Sequence, residues 1–290
     1  MKKNNQLERT LYICGTPIGN LEDITLRALN ILKKVELIAA EDTRHTQKLL
    51  RHYRINTPIT SYYEHNKFKK APYLIEKIRN GQKIALVSDA GMPGISDPGY
   101  FLINLALKND IKIVPIPGVS ALITALVVSG LPSDRFIFEG FLPRKCTERK
   151  KYFRKIENEN RTLIFYEAPH RLKRTLKDML EVWGDRKIVV ARELTKKYEE
   201  VLRGEISQIL KELENRKVKG EITLVVEGNT REKENEESSL IKRDKKIEEF
   251  LKELILQEYS NREIIKIAQE KLNIPKNVIY KKLLEIKDSG

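Results

Sequence analysis

A chain of 290 residues with 40% hydrophobic content can fill about two domain cores, and a formal charge of +14 favours acidic partners such as nucleic acid over basic ones. Its two cysteines, Cys14 and Cys146, match neither a disulfide framework nor a C-x-x-C pair, so a reducing setting is expected, and the spacing of cysteines and four histidines predicts no metal site. The early apolar stretch "LYIC" is too short for a signal-peptide core, and "ALITALVVSGL" is too short to cross a bilayer, which predicts a cytoplasmic protein with no membrane partner.

In chain order, "TLYIC", "TLRALNILKK", "VELIAA", "TRHTQKLLRHY", "PITSYY", "PYLIEKIRN", "KIALVS", "YFLINLALKN" and "IKIVPI" alternate short apolar runs with amphipathic ones. This is the β-then-α rhythm of a largely parallel, helix-covered sheet, and it predicts an α/β domain over residues 1–117. Pro115, Pro117 and Gly118 interrupt the pattern. A second α/β set follows over 118–228, in which "EEVLRGEI" reads as an antiparallel strand and makes the second sheet mixed. Residues 229–243 are polar and almost without apolar anchors, as a linker would be. From 244 to 290 a helical module is predicted. "SNREIIKIAQEKL" opens with a capping box of Ser260 and Glu263, and after the turn "NIP" comes a second short helix, giving a helix-turn-helix-like pattern.

The stretch "SDAGMPGISDPG" (88–99) links an apolar run to a helix through three glycines and two prolines. A P-loop would place Lys and Ser or Thr after its last glycine, where this chain has Tyr100 and Phe101, and a dinucleotide fingerprint belongs after the first strand. Asp89 and Asp97 would repel phosphates but accept hydrogen bonds from ribose hydroxyls or an ammonium group. The alternative is a purely structural turn, with Asp97 capping a helix that starts at Pro98.

The positive excess lies in the first 230 residues: 18 basic against 11 acidic residues in 1–120, 23 against 17 in 121–230, and 14 against 13 beyond. It is densest in "RKCTERKKYFRK" (144–155). Arg144, Lys145, Arg149, Lys150, Lys151 and Arg154 suit RNA phosphates there, with Tyr152 or Phe153 against an unpaired base, unless the segment is merely a solvated helix face.

With "GTPIGNLEDIT" (15–25), "AAEDTRHT" (39–46), "YYEHN" (62–66), "PIPGVSAL" (115–122), "FEGFLPRK" (138–145), "FYEAPHRL" (165–172) and "ARELTKKYEE" (191–200) added to the 88–99 turn, the chain resembles the tetrapyrrole-methylase superfamily of S-adenosylmethionine-dependent enzymes. More narrowly, it is similar to the branch that methylates the 2′-oxygen of a cytidine in 16S ribosomal RNA. The resemblance implies two α/β domains with the cofactor in the cleft between them, a homodimer, and 16S rRNA or the small ribosomal subunit as partner. It implies cofactor contacts from Asp89, Gly91, Met92, Pro93, Gly94, Ile95, Ser120, Ala121, Tyr166, Glu167, Ala168 and Glu193. Met92 stands where the family often has threonine. For activating or holding the acceptor, the candidates are Glu41, Asp42, Arg44 and His45 after the second strand, Glu64 and His65 after the third, and Glu167 and His170 beside the cofactor motif. Of these, Asp42, Arg44, Glu64 and His65 are the expected groups, although Asp42 would equally serve as a helix cap. Arg44 and Arg171 could hold flanking phosphates. Two other functions remain open from sequence: a tetrapyrrole-type small-molecule C-methyltransferase, and a non-catalytic RNA-binding assembly factor.

Overall fold

The computed structural model describes residues 9–230, 246–257, 259–272 and 274–288. They form two compact units, one up to Gly228 and one from Asn229 onward.

The first unit holds two five-stranded sheets. In the first, β1 (Thr10–Cys14), β2 (Leu37–Ala40), β3 (Ile59–Ser61), β4 (Ile84–Val87) and β5 (Lys112–Ile116) pair in the order β3-β2-β4-β1-β5, all parallel. Consecutive side chains of a strand point to opposite faces, so a strand covered on both sides is apolar throughout. β4 obeys this. Ile84 and Leu86 join Leu74, Ile75 and Ile78 of α3 (Lys67–Arg79) and Leu102 of α4 (Gly99–Leu107), whereas Ala85 and Val87 join Ala28 and Leu32 of α1 (Leu26–Lys34) and Leu50 of α2 (Thr43–His52).

The second sheet contains β6 (Phe136–Phe141), β7 (Thr162–Glu167), β8 (Lys187–Arg192), β9 (Glu200–Glu205) and β10 (Ile222–Val226), ordered β6-β7-β10-β8-β9. Only β6 and β7 run parallel, and "EVLRGE" pairs antiparallel with β8, so the sheet is mixed as its sequence predicts. One face packs against α6 (Cys146–Lys155), α7 (Leu172–Trp183) and α8 (Ile206–Leu213). The other packs against Leu122, Ala125 and Leu126 of α5 (Ala121–Ser129) and against Ile18, which follows β1. Ile18 thus ties the first sheet's loops into the second sheet's core.

In the second unit, a helix over 246–256 (α9), α10 (Asn261–Leu272) and α11 (Lys276–Asp288) share a core including Leu251, Ile264, Ala268, Ile279 and Leu283. The capping box is present: Glu263 Oε2 accepts the Ser260 amide at 2.9 Å, and Ser260 Oγ accepts the Glu263 amide at 3.4 Å. Most of the expected linker, from residue 231, lies outside the described residues.

The basic helix α6 corrects two expectations. Arg149 does not face solvent: it is buried, and its guanidinium donates through Nε to Asp178 Oδ2 at 2.8 Å, pairs there again through Nη2, and donates through Nη1 to the carbonyls of Pro143 and Arg144 at 3.1 and 3.2 Å. Phe153 is also buried, against Trp183, whose indole N–H donates to its carbonyl at 2.9 Å. The Tyr152 hydroxyl donates a hydrogen bond to Glu139. One side of a ten-residue helix that packs on a sheet must enter the core, and an arginine there is tolerated only with its donors filled. Asp178→Ala should therefore cost about 3–5 kcal/mol, because it leaves the buried Arg149 charge unpaired, and Arg149→Ala less, because Lys150 Nζ at 3.8 Å still faces Asp178, while Arg149→Met with Asp178→Leu should recover most of the loss. Urea unfolding of the three variants checks this; single substitutions within experimental error of the parent would contradict it.

Candidate active site

Two backbone contacts shape the end of the first sheet. Gly15, after β1, lies against Gly118, after β5, so closely that a Cβ on Gly15 would stand 2.7 Å from the Gly118 Cα. Beside it, Thr16 and Gly91 exchange amide-to-carbonyl hydrogen bonds at 2.9 and 3.0 Å. Gly91 has φ +80°, which glycine adopts without strain. The rest of the turn is tied by Asp97, whose carboxylate accepts the amides of Gly94 (2.8 Å), Ile95 (3.2 Å) and Gly99 (2.7 Å). The helix starts at Gly99, one residue later than the Asp97–Pro98 capping pattern predicts, yet Asp97 still holds its first amide. The turn is thus held by its own capping aspartate and also lines a cavity. The amides of Gly91, Gly94 and Ile95 are committed to the protein, and the turn offers its shape and its remaining groups.

Above this floor is a cavity of about 440 Å³, within the range of small-molecule sites. Of the residues expected to contact the cofactor, Asp89, Gly91, Met92, Ile95, Ser120, Ala121, Tyr166, Glu167 and Ala168 line this cavity, at the carboxyl ends of the parallel strands where α/β sheets bind ligands. Pro93, Gly94 and Glu193 do not reach its wall. Glu193 instead accepts Lys196 Nζ at 2.9 Å and the Glu221 amide at 3.0 Å, and its side chain fills the space over Gly220. The lining also includes residues that the sequence analysis did not place there, among them Ile18, Phe141, Leu194 and Gly220 to Thr223. The available signal was Gly220 just before the apolar run "ITLVV", a glycine that proves to have φ +90°.

The lining carries the carboxylates of Glu41, Asp89, Asp97, Glu167 and Glu221 and no lysine or arginine. Glu167 is neutralised by Arg171 at 2.6 Å and by the Thr175 hydroxyl at 2.6 Å. Asp89 accepts the Asp42 amide at 2.8 Å. Glu41 has no cationic partner. Burial raises its carboxyl above the usual value, the Asp89 amide at 3.3 Å opposes this, and the charges of Asp89, Asp97 and Asp42 add to the rise. Such a cavity disfavours phosphates and suits a cationic, partly apolar molecule with sugar hydroxyls, which is the chemistry of S-adenosylmethionine.

The four residues expected to serve the acceptor are not on the cavity wall. Asp42 caps α2 by accepting the Arg44 amide at 2.8 Å and also pairs with the Arg44 side chain, which holds its carboxyl down at about 2. Arg44 is exposed, Glu64 pairs with Lys67, and His65 is exposed with its ring edge toward Tyr63. Of the expected RNA contacts other than Arg149, Lys145 pairs with Glu148 and Lys150 with Glu181, whereas Arg144, Lys151 and Arg154 are exposed.

Residues 10–210 match the family model of Tetrapyrrole (Corrin/Porphyrin) Methylases. The fold is similar to a cobalt precorrin-4 methyltransferase of cobalamin biosynthesis, at TM-score 0.58 and 15% identity over 76% of this chain and 95% of that one. It is likewise similar to a uroporphyrin-III C-methyltransferase from Thermus thermophilus complexed with S-adenosylhomocysteine, at TM-score 0.54 and 16% identity over 77% and 99%. In sequence the chain is 52% identical over 228 residues to Ribosomal RNA small subunit methyltransferase I of Halalkalibacterium halodurans, covering 79% of each. It is 46% identical over 270 residues to the protein of that name from Bacillus subtilis, covering 93% of this chain and 92% of that one. A two-sheet methylase fold around a cation-free, carboxylate-lined cavity, and near-complete alignment at this identity, mark the chain as a member of the ribosomal RNA small subunit methyltransferase I family within the tetrapyrrole methylases.

Proposed function

We propose that this chain transfers the methyl group of S-adenosylmethionine to the 2′-oxygen of a cytidine in the 16S RNA of the small ribosomal subunit. The observation that carries this reading is the 46% identity over 93% of the chain to a relative named for that substrate class. When bound, S-adenosylmethionine supplies a methyl group on a positively charged sulfur, open to in-line attack by an oxygen. The Asp97-tied turn and the start of α5 hold the cofactor in place, and Glu41 and Asp89 give its charge and hydroxyls polar partners. Ile18, Met92, Ala121, Leu194 and Ile222 give the cavity an apolar wall that would exclude water around the bound cofactor, and alignment of donor and acceptor would supply much of the rate. Asp42, Arg44, Glu64 and His65 stand after β2 and β3, at the same edge of the sheet, and among them His65 carries no ion pair and serves best as the acceptor of the hydroxyl proton.

The setting proposed is the cytoplasm; among the described residues no helix is long and apolar enough to cross a membrane. A homodimer is supported by large apolar side chains left open on two helices of the first unit, Tyr100 of α4 at 70% and Val127 of α5 at 74% exposure. Light scattering should give twice the chain mass of 33.7 kDa, and a monomer at micromolar concentration would refute the pairing.

The deciding assay offers the protein labelled S-adenosylmethionine with small ribosomal subunits lacking the modification, and in parallel with a porphyrin precursor. Label at a cytidine 2′-oxygen is expected with the first and none with the second; the reverse would establish the small-molecule function, and neither, with RNA binding intact, the assembly-factor one. Glu41 adds a pH test. Its carboxyl keeps its proton to higher pH than usual, and a cation bound nearby favours the ionised form. Cofactor affinity should therefore rise as pH rises through that raised value and level off above it, and Glu41→Gln should flatten the rise. Calorimetric titrations across pH check this, and identical profiles for the two proteins would remove Glu41 from the cofactor's field.

A further inference from the structure

Next to the carboxylate-lined cavity is a second hollow of about 810 Å³, and the two share Phe141 and Ala168 as wall. Its charge is the opposite. Arg144, Arg149, His170, Arg171 and Arg174 line it, and no acidic residue does. Two of the four arginines are already used: Arg149 by Asp178, and Arg171 by Glu167 and by the Leu142 carbonyl at 3.2 Å. Arg144, His170 and Arg174 are exposed, and among the described residues their side chains have no ion-pair or hydrogen-bond partner. The hollow lies at the starts of α6 and α7, whose first amides receive no side-chain cap, so the backbone adds to its positive potential.

Unpaired arginines gathered in a concavity repel one another and persist where an anion is to be held. The shared wall makes the location specific. Phe141 is 61% exposed, and its ring packs 5.5 Å from that of Tyr166, a residue of the first cavity. An exposed aromatic face beside a basic hollow is the pairing that single-stranded nucleic acid uses, with base on ring and backbone on arginine.

We propose that this hollow is the path of the RNA strand. On this assignment, which rests on the ribosomal RNA methyltransferase reading above, Arg144, His170 and Arg174 hold phosphates flanking the target nucleotide, and Phe141 stacks on a base so that the ribose turns toward the first cavity. The RNA contact is thereby moved from the outer face of α6 to a seam formed by α6, α7 and the loop after β7. His170 and Arg174 enter it although neither belongs to the basic segment of the sequence.

The test compares the parent with Arg144→Ala/Arg174→Ala, the charge-retaining Arg144→Lys/Arg174→Lys, and a charge-matched control, Lys33→Ala/Lys34→Ala on exposed positions of α1. With unmodified small subunits, the Ala pair should raise KM about tenfold or more with kcat and cofactor affinity nearly unchanged, since phosphate contacts position the strand without entering the chemistry. Against a single-stranded rRNA fragment, the slope of log affinity on log salt should become shallower by about 1.4, from about 0.7 per lost contact. The Lys pair should recover most of both effects, and the control should behave as the parent. Equal KM and equal slope in the Ala pair, with the parent active on the particle, would overturn the RNA path and leave the proposed function standing. An equal loss in the control would also overturn it, by assigning the effect to bulk charge. A parent that methylates no ribosomal RNA would overturn both.

Discussion

The contact between Gly15 and Gly118 sets the geometry on which the rest of the site depends. Two backbones meet where any side chain would hold them apart, and this fixes the ends of β1 and β5 relative to each other. The Thr16–Gly91 bridge then pins the turn after β4 to the same point, and Ile18, three residues after Gly15, inserts into the core of the second sheet. A parallel sheet brings all its strand ends to one edge, so closing that edge with glycines creates a floor, and the second sheet supplies the opposite wall. The site is therefore a property of the seam within the first unit rather than of either sheet.

Charge is partitioned across that seam. One cavity gathers carboxylates with no cation on its wall, and its neighbour gathers cations with no carboxylate. Groups of one sign gathered in a concavity raise its potential and attract the opposite charge, so two such regions side by side fit a reaction that brings together a positively charged donor and a polyanionic acceptor. Glu167 and Arg171 illustrate the division: they neutralise each other at the boundary and leave the two fields distinct.

Helix α6 shows why composition overstates a binding surface. Seven of the twelve residues from 144 to 155 are lysine or arginine, yet Arg149 lies in the core and Lys145 and Lys150 are taken by Glu148 and Glu181. A helix places residues three and four apart on one side, so a dense basic run is distributed around its circumference and only part of it can face one ligand. The cations left unpaired at the hollow come from separate segments, which no local count of charge brings together.

Much of the fold was legible in the order of residues. Alternating apolar runs and amphipathic stretches have the periods of strands and helices, and these located β1 to β5, the mixed character of the second sheet through "EVLRGE", the passage between sheets at Pro115 to Gly118, and the Ser260–Glu263 cap, because each depends on neighbours close along the chain. The turn at 88–99 was recognisable from its glycines and prolines as a tight strand-to-helix turn, while its place under a cavity was implied only by the family resemblance. What only the tertiary structure decided was the partner of polar groups far apart along the chain: Arg149 to Asp178, Glu193 to the Glu221 amide, and Arg144 beside His170 and Arg174. Those pairings join residues from separate segments of the chain. Local periodicity carries no information about which strand ends meet, and so the walls of the site emerge only when the sheets have closed on one another.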